Sequence, residues 1–146
     1  MTLKMGVGVL LSILAGPAVA ACEFEVEVGD SLQYNVAEMT ADKSCELIKV
    51  TIKHTGNLPA IAMGHNWVLS RAGDLNGIAA DGISAGIDNN YMKPDDDRVF
   101  AATKIVGGGE SDTIEFSTST LNGDELVFFC SFPGHSSIMK GTFKLV

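Results

Sequence analysis

The segment FFCSFPGHSSIMKGTF (residues 128–143) decides how this chain is interpreted, because it places a thiol, an imidazole and a thioether on one short loop. Cys130, His135 and Met139 are separated by four and then by three residues, with Pro133-Gly134 as turn material between the first two. Soft and borderline donors at this spacing indicate a metal site. The rest of the chain has to supply a further ligand and a suitable compartment.

The first twenty residues, MTLKMGVGVLLSILAGPAVA, predict a secretory signal peptide. Lys4 precedes an apolar run from Val7 to Leu14, and the small residues up to Ala20 fit a cleavage site. The apolar run is too short to cross a bilayer, which needs about 20 residues. We therefore divide the chain into a signal at 1–20 and one domain at 21–146, and we expect export to the periplasm.

Charge excludes one class of partner. The full chain has a net charge of −8, and removal of residues 1–20 takes away Lys4 and no acid, which gives −8 − 1 = −9. Nucleic acid binding demands Lys and Arg for the phosphates, so we predict no nucleic acid partner. An anionic surface is compatible with solubility and with basic partners, but it identifies none.

Cysteine usage has two interpretations. In an oxidising compartment, pairing Cys22 with Cys45 leaves Cys130 as a thiolate. This disulfide closes a loop of about 24 residues, worth roughly 3 kcal/mol in the chain-entropy model. Alternatively, Val19-Ala20-Ala21-Cys22 resembles a bacterial lipoprotein processing box, in which Cys22 is acylated, Cys45 has no partner and the protein is held on a membrane.

The mature chain is predicted to be rich in β-strands. Apolar residues alternate with charged or polar ones around 24–28 and 48–52, which is the period of half-buried strands. Further candidate strands are 66–71, 98–105, 112–117, 124–130 and 141–146, separated by Gly-rich and Asn-Gly turns. Seven or eight short strands in one domain predict an all-β sandwich of two sheets. The stretch DLNGIAADGISAGI (74–87) has a helical period instead and predicts one short helical insert.

The ligand types favour copper. Blue copper sites use two imidazoles and a thiolate in a plane, with a weak axial methionine. Of the histidines His54, His65 and His135, His65 lies at the start of an apolar strand and can supply the second imidazole. His54 is expected to be a structural or titrating residue. Zinc is the competing metal, but structural zinc sites use several cysteines or two close Cys/His pairs.

At these residues the chain resembles the azurins, the small blue copper proteins of the cupredoxin family found in bacterial periplasms. The likeness runs over essentially the whole mature chain. It is carried by ADKSCELIKVTIKHTGNLPAIAMGHNWVLS (41–70), MKPDDDRVFAATKIVGGGES (92–111) and the segment at 128–143. The C-x4-H-x3-M spacing is discriminating, because other cupredoxin families have loops of different length.

The resemblance implies a Greek-key β-sandwich, the cupredoxin-like fold, with one type 1 copper. Its ligands would be His65, Cys130 and His135 in the plane, with Met139 and the carbonyl oxygen of Gly64 as distant axial groups. Asn66 would tie the two ligand loops together, and the backbone N–H of Phe132 would donate to the Cys130 sulfur. The structural disulfide of the family falls on Cys22 and Cys45, and its interior tryptophan on Trp67.

The resemblance also implies a function: a monomeric one-electron carrier, and not an enzyme, that exchanges electrons through the solvent-facing edge of His135. Expected partners are c-type cytochromes, nitrite reductase or a terminal peroxidase. The residues expected around the edge form an apolar docking patch: Leu32, Leu58, Met63, Phe132, Pro133 and Gly134. Two positions depart from the family pattern, Ala60 where lysine is common and Ser137 near the rim, and they put the choice of partner in doubt.

Three other classes of function compete with this interpretation. A copper oxidase or nitrite reductase needs further imidazoles, and only His54 remains. A copper buffer or chaperone would favour exposed, exchangeable thiols. The last class is a secreted binding module without copper.

Overall fold

The computed structural model describes residues 21–121 and 125–146. The predicted signal peptide and the Asn-Gly-Asp turn at 122–124 lie outside the described residues. The described parts contain nine strands and two α-helices. The strands are β1 (Glu23–Gly29), β2 (Ser31–Tyr34), β3 (Glu38–Ala41), β4 (Leu47–His54), β5 (Val68–Arg71), β6 (Val99–Ala102), β7 (Ser111–Ser117), β8 (Leu126–Phe129) and β9 (Lys140–Leu145). The helices are α1 (Ala60–Met63) and α2 (Leu75–Ala85).

The strands form two sheets, which confirms the predicted all-β Greek-key sandwich. One sheet has the order β2-β1-β4-β7 and the other the order β3-β9-β8-β5-β6. The chain passes between the sheets after β2, β3, β4, β6 and β7. Most neighbours are antiparallel, but β1 pairs with β4 and β3 pairs with β9 in parallel.

The alternating pattern of β1 and β4 directs one face of each strand into the core. Ile48, Val50 and Ile52 are fully buried, while Lys49 faces outward beside Glu23 of the neighbouring strand. Between the sheets lies Trp67, whose ring stacks on Phe128 with centroids 6.0 Å apart. The predicted interior position of Trp67 is therefore confirmed.

The strands β2 and β3 are not among the predicted segments. Each has only four residues, and β3 is formed by parallel pairing with the distant β9. Four residues give too few alternations to separate a strand from a loop. The predicted strand at 98–105 is shorter in the structure, where β6 covers Val99–Ala102.

The predicted helical insert is confirmed as α2. Its apolar side, Leu75 and Ile78, packs on Val68 and Phe129 and so covers the outer face of the second sheet. Gly82 lies so close to the Tyr91 carbonyl that a Cβ would overlap it, which explains a glycine inside this helix. Within the described parts of the chain, no helix has the length and apolar character needed to span a membrane.

A disulfide joins Cys22 to Cys45, as predicted, and Cys130 is free and buried. One sulfur cannot both form a disulfide and carry a lipid, so this bond favours the pairing of Cys22 with Cys45 over acylation of Cys22. The bridge lies where the parallel strands β1 and β4 begin, whereas β4 ends at His54, whose ring stacks on that of the predicted ligand His65. The disulfide and the candidate metal ligands therefore occupy opposite ends of the sandwich.

Strand register brings the two candidate ligand segments together. Val68 of β5 lies opposite Phe129 of β8, so the residues before β5 and after β8 meet at one end of the sheet. Phe129 also lies opposite Lys140 of β9, and the Cys130 N–H donates to the Met139 carbonyl at 3.1 Å. The loop at 130–139 is thus closed at its base.

Candidate metal centre

Three predicted ligands converge in the structure. The ligand atoms of His65, Cys130 and His135 all lie within 4.8 Å of one another. The Cys130 Sγ atom is 3.9 Å from His65 Nδ1 and 3.6 Å from His135 Nδ1. His65 and Cys130 are fully buried, and His135 is 6% exposed. The Nδ1 atoms of both imidazoles therefore approach one sulfur at a site that bulk water barely reaches.

The orientation of His65 is fixed from behind. Its backbone exchanges hydrogen bonds with Val106 at 3.1 and 2.8 Å, and its Nε2 lies 2.8 Å from the Gly29 carbonyl oxygen. Since a carbonyl only accepts, Nε2 carries the proton of the neutral ring and Nδ1 keeps its lone pair. That lone pair lies on the side of Cys130, as a metal-binding imidazole requires.

The loop after β8 holds Cys130, His135 and Met139 through its own backbone. His135 N–H donates to the Phe132 carbonyl, and Met139 N–H donates to the His135 carbonyl at 2.8 Å. Gly134 has φ of 82°, a left-handed conformation that glycine adopts without strain. The turn predicted at Pro133-Gly134 therefore lets three donors return to one small volume.

The two residues predicted as axial groups are joined to ligand residues through the backbone: Met139 by hydrogen bonds to Cys130 and His135, and Gly64 by its peptide bond to His65. Met139 is buried in the same core cluster as Cys130. Gly64 directly precedes His65, and a Cβ at Gly64 would overlap the Ala60 carbonyl and the Ile105 side chain. Only glycine allows α1 to pack this closely against the backbone that leads to His65.

Asn66 links the two ligand loops. Its Oδ1 accepts from Ser131 N–H and its Nδ2 donates to Ser131 Oγ, both at 2.8 Å. The Tyr34 hydroxyl donates to the Asn66 carbonyl at 2.6 Å. The side-chain role of Asn66 was part of the sequence prediction. Tyr34 and Ser131 were not, because neither is a metal-ligand type and only the structure shows their contacts.

Backbone N–H groups also reach the sulfur. Burial raises the pKa of the Cys130 thiol to about 11, while donation from the N–H groups of Asn66 and Phe132 opposes that rise. The Phe132 donor was predicted, and the Asn66 donor was not. Both donors stabilise negative charge on the sulfur.

The two candidate ligand histidines, His65 and His135, are neutral and can each offer a lone pair to a metal ion. Burial, with a smaller contribution from His65, lowers the pKa of His135 to about 4. Burial also lowers the pKa of His65, against the opposing effect of its hydrogen bond to Gly29. Neutral imidazole is the form that binds metal, so only the thiol has to lose a proton.

The donor chemistry fits copper. Two preoriented imidazoles, one thiol and a nearby thioether match the trigonal His₂Cys set with a weak methionine. The described residues hold no other cluster of three His, Cys, Asp or Glu side chains able to bind an ion. Structural zinc sites use four strong ligands, and a single thiolate with a thioether does not supply them.

His54 lies behind the site and is not among the converging donors. It is buried, and its ring stacks on His65 with centroids 5.2 Å apart. Its Nδ1 accepts from Gly56 N–H at 3.1 Å, and its Nε2 lies 3.0 Å from the Met63 carbonyl oxygen. Both ring nitrogens of His54 are therefore occupied by backbone groups.

All six residues of the predicted docking patch have at least part of their surface exposed. Of the predicted patch residues, Leu58 is 42% exposed and Gly134 is exposed, while the remaining four are half-buried: Leu32, Met63, Phe132 and Pro133. Two apolar side chains outside the predicted patch are more exposed, Ile61 of α1 at 73% and Ile138 at 66%. Phe132 stacks directly on the His135 ring, with centroids 4.4 Å apart.

Comparisons with known proteins agree on one family. Residues 20–146 match the family model described as copper binding proteins, plastocyanin/azurin family. The chain is 48% identical over 144 residues to azurin of Pseudomonas aeruginosa, covering 97% of each chain. It is also 48% identical over 147 residues to azurin of Achromobacter denitrificans, covering 99% of each. A solved azurin structure from Methylomonas sp. strain J aligns with a TM-score of 0.83 at 42% identity, over 87% of this chain and 99% of that one.

Proposed function

This chain belongs to the plastocyanin/azurin family of copper-binding proteins, and from that premise we propose that His65, Cys130 and His135 bind its copper and that electrons pass through the edge of His135. Membership makes the protein an electron carrier with a copper cofactor. Within the proposal, Met139 and the Gly64 carbonyl oxygen are the distant axial groups.

The observation that carries the proposal is the convergence of two Nδ1 atoms and one Sγ atom within 4.8 Å in a buried site. The donors reach this arrangement through contacts that involve no metal: the Gly29 carbonyl for His65 and the closed loop for Cys130 and His135. The protein therefore imposes the geometry, and little has to move when the charge of the site changes by one.

Bound copper supplies a couple between Cu(I) and Cu(II) that gains or loses one electron. The N–H groups of Asn66 and Phe132 stabilise the negative charge of the Cys130 sulfur, which raises the reduction potential. The stacked ring of Phe132 and the buried Met139 side chain limit the access of water to the ligands. His135 is the ligand with residual exposure, so it offers the shortest path from the site to a partner.

We propose that the protein is not itself an enzyme. A catalytic copper site needs open positions and further imidazoles, and His54 is the one histidine outside the ligand set. Both of its ring nitrogens are engaged by backbone groups. The buried Cys130 also differs from the exposed, exchangeable thiols expected of a copper buffer or chaperone.

Redox proteins are the partners of an electron carrier, and c-type cytochromes, nitrite reductase and a terminal peroxidase are the ones we propose. The docking patch would be Leu32, Leu58, Met63, Phe132, Pro133 and Gly134. Residues 55–70 and 128–139, which surround the site in sequence, contain no charged side chain. A largely apolar rim suits small, short-lived contacts with partners that present a similar surface.

We further propose that residues 1–20 are removed on export and that the protein works in the periplasm as a monomer. The intact mass of the exported protein tests the cleavage site. A mass equal to residues 21–146 less two hydrogens, for one disulfide, is expected. A mass equal to residues 22–146 with added diacylglycerol would contradict both the cleavage site and the disulfide.

Addition of Cu(II) to the copper-free protein tests the proposed site. The expected product is blue, with an intense visible absorption from charge transfer between the Cys130 sulfur and copper. Cys130→Ser should abolish this band, because a hydroxyl is a harder and less covalent donor. Retention of the band in Cys130→Ser would end the proposal, and so would a colourless wild-type product.

A further inference from the structure

Gly29, the last residue of β1, and Asp30, which connects β1 to β2, contact two different functional parts of the molecule. The Gly29 carbonyl accepts from Nε2 of the ligand His65 at 2.8 Å. The Asp30 carboxylate accepts from the backbone of the loop that carries Leu58. One oxygen, Oδ2, takes the Asn57 N–H at 2.8 Å, and the other, Oδ1, takes the Leu58 N–H at 3.0 Å.

The Leu58 loop depends on such contacts because it has no regular structure of its own. It connects the end of β4 to the start of α1 across residues 55–59. Gly108 N–H donates to the Leu58 carbonyl at 2.8 Å. The peptide units around Leu58 are therefore held by Asp30 through their N–H groups and by Gly108 through a carbonyl.

The packing around Asp30 is tight on the loop side. A Cβ at Gly56 would overlap the Asp30 carboxyl group, so the carboxylate lies directly against the loop backbone. Donation from Asn57 and Leu58 holds the pKa of Asp30 below its ordinary value. Asp30 is exposed, and yet both of its carboxylate oxygens accept hydrogen bonds from one uncharged loop. A carboxylate that served only for solubility would not need these contacts.

We propose that Asp30 is a positioning residue: by holding the Asn57 and Leu58 N–H groups, it keeps Leu58 of the docking patch in the conformation that partners meet. The adjacent Gly29 carbonyl holds His65, so the two contacts relate the patch to the ligand. The inference rests on the proposed function, since it concerns the patch through which electrons pass. Without the carboxylate, the loop has to be ordered during each encounter, and that ordering opposes association.

Two variants of equal charge separate the hydrogen bonds from the charge. Asp30→Asn and Asp30→Ala both remove one negative charge, but asparagine keeps one acceptor oxygen and alanine keeps none. At an ionic strength that screens long-range repulsion, Asp30→Ala should slow electron self-exchange about tenfold, the effect of ordering one loop at the interface. Asp30→Asn should lie between Asp30→Ala and the wild type. Equal rates in the two variants would overturn the inference.

Amide hydrogen exchange of the copper-loaded protein gives a readout that is independent of electron transfer. The amides of Asn57 and Leu58 should lose protection in Asp30→Ala, while the visible band keeps its position because Gly29 still holds His65. Unchanged protection of both amides would contradict the positioning role of Asp30.

Asp42 provides a matched control, since its Oδ1 accepts from Ser44 N–H at 2.8 Å in the loop before Cys45. Asp42→Ala removes the same charge and a similar backbone contact near the disulfide, so self-exchange should stay at the wild-type rate. A blue wild type whose rate equals that of Asp30→Ala would refute this inference alone. A wild type without the blue band would instead refute the proposed function.

Discussion

Asn66 and Ser131 join the two ligand loops through a pair of 2.8 Å hydrogen bonds, one to the Ser131 backbone N–H and one to its hydroxyl. Asn66 follows the ligand His65, and Ser131 follows the ligand Cys130. All four residues are buried. Because neither loop can shift without breaking this pair, the distance between the imidazole and the sulfur is set by the protein.

These hydrogen bonds predict that substitutions of Asn66 and Ser131 lower the free energy of unfolding by different amounts. Asn66→Ala removes both hydrogen bonds to Ser131 and a third one, from Nδ2 to the Asn90 carbonyl at 3.3 Å, and it leaves the buried Ser131 N–H unpaired. It should lower the free energy of unfolding by about 2–3 kcal/mol and speed extraction of copper by a chelator. Ser131→Ala keeps the backbone N–H bond to Asn66 and should lose about 1 kcal/mol. Urea unfolding and chelator kinetics measure both effects. Equal losses in the two variants would show that the backbone bond contributes nothing.

A substitution at Met139 tests the axial role. Met139→Leu should keep the blue colour, because the thiolate and both imidazoles remain, and should raise the reduction potential, because an axial electron donor is removed. Met39→Leu is the control, since Met39 is a buried methionine of the same core that lies in β3 and not in the ligand loop. Voltammetry of both variants measures the shift. A fall in potential in Met139→Leu, or an equal rise in Met39→Leu, would contradict the axial assignment.

Sequence patterns predicted the parts of this fold in which side chains carry the signal. Residue identity alone reveals the alternation in β1 and β4 and the helical period of α2. It also reveals the spacing of Cys130, His135 and Met139. The short strand β3 escaped prediction because its pairing with the distant β9 defines it. The strand β2 pairs with the neighbouring β1, but its four residues show too few alternations to reveal it.

The contacts that orient the metal site were harder to foresee, because several of them use backbone atoms. The Gly29 carbonyl that fixes the tautomer of His65 and the Asn66 N–H that reaches the sulfur could belong to any residue type. The Tyr34 hydroxyl contacts Asn66 from a strand 32 positions away, and no spacing rule connects the two. Such contacts depend on strand register, which the sequence did not specify at these positions.

A charge placed in the docking patch tests the route of the electron. Met63→Lys should leave the visible band unchanged and slow electron self-exchange at least tenfold at low ionic strength, because two patches meeting face to face would bring like charges together. Added salt should recover part of the rate.

Leu47→Lys is the matched control for this charge. Leu47 is 56% exposed and begins β4, whereas the metal end lies where that strand ends at His54. The same change of charge should therefore leave self-exchange unaffected. An unchanged rate in Met63→Lys would mean that electrons leave by another face.

The ion pair between Asp96 and Arg98 predicts how stability depends on pH. Arg98 donates from Nε and Nη2 to the two Asp96 oxygens at 2.8 and 2.6 Å, and Nη2 also contacts Asp81 of α2 at 2.6 Å. These bonds to Arg98 are the main reason that the pKa of Asp96 lies below its ordinary value. The unfolded chain therefore takes up this proton at a higher pH than the folded one. The contribution of the pair to stability is fully present above the ordinary aspartate pKa of about 4 and is lost as the pH falls through the lower folded value.

Asp96→Asn should consequently be less stable than the wild type near neutral pH, and the difference should shrink as the pH falls below about 4. Asp97→Asn removes the same charge from the next residue, which is exposed, and should show a much smaller difference at every pH. Urea unfolding of the three proteins across this range measures the free energies. The pair would have no such role if the difference between wild type and Asp96→Asn stayed constant with pH, or if Asp97→Asn followed the same curve.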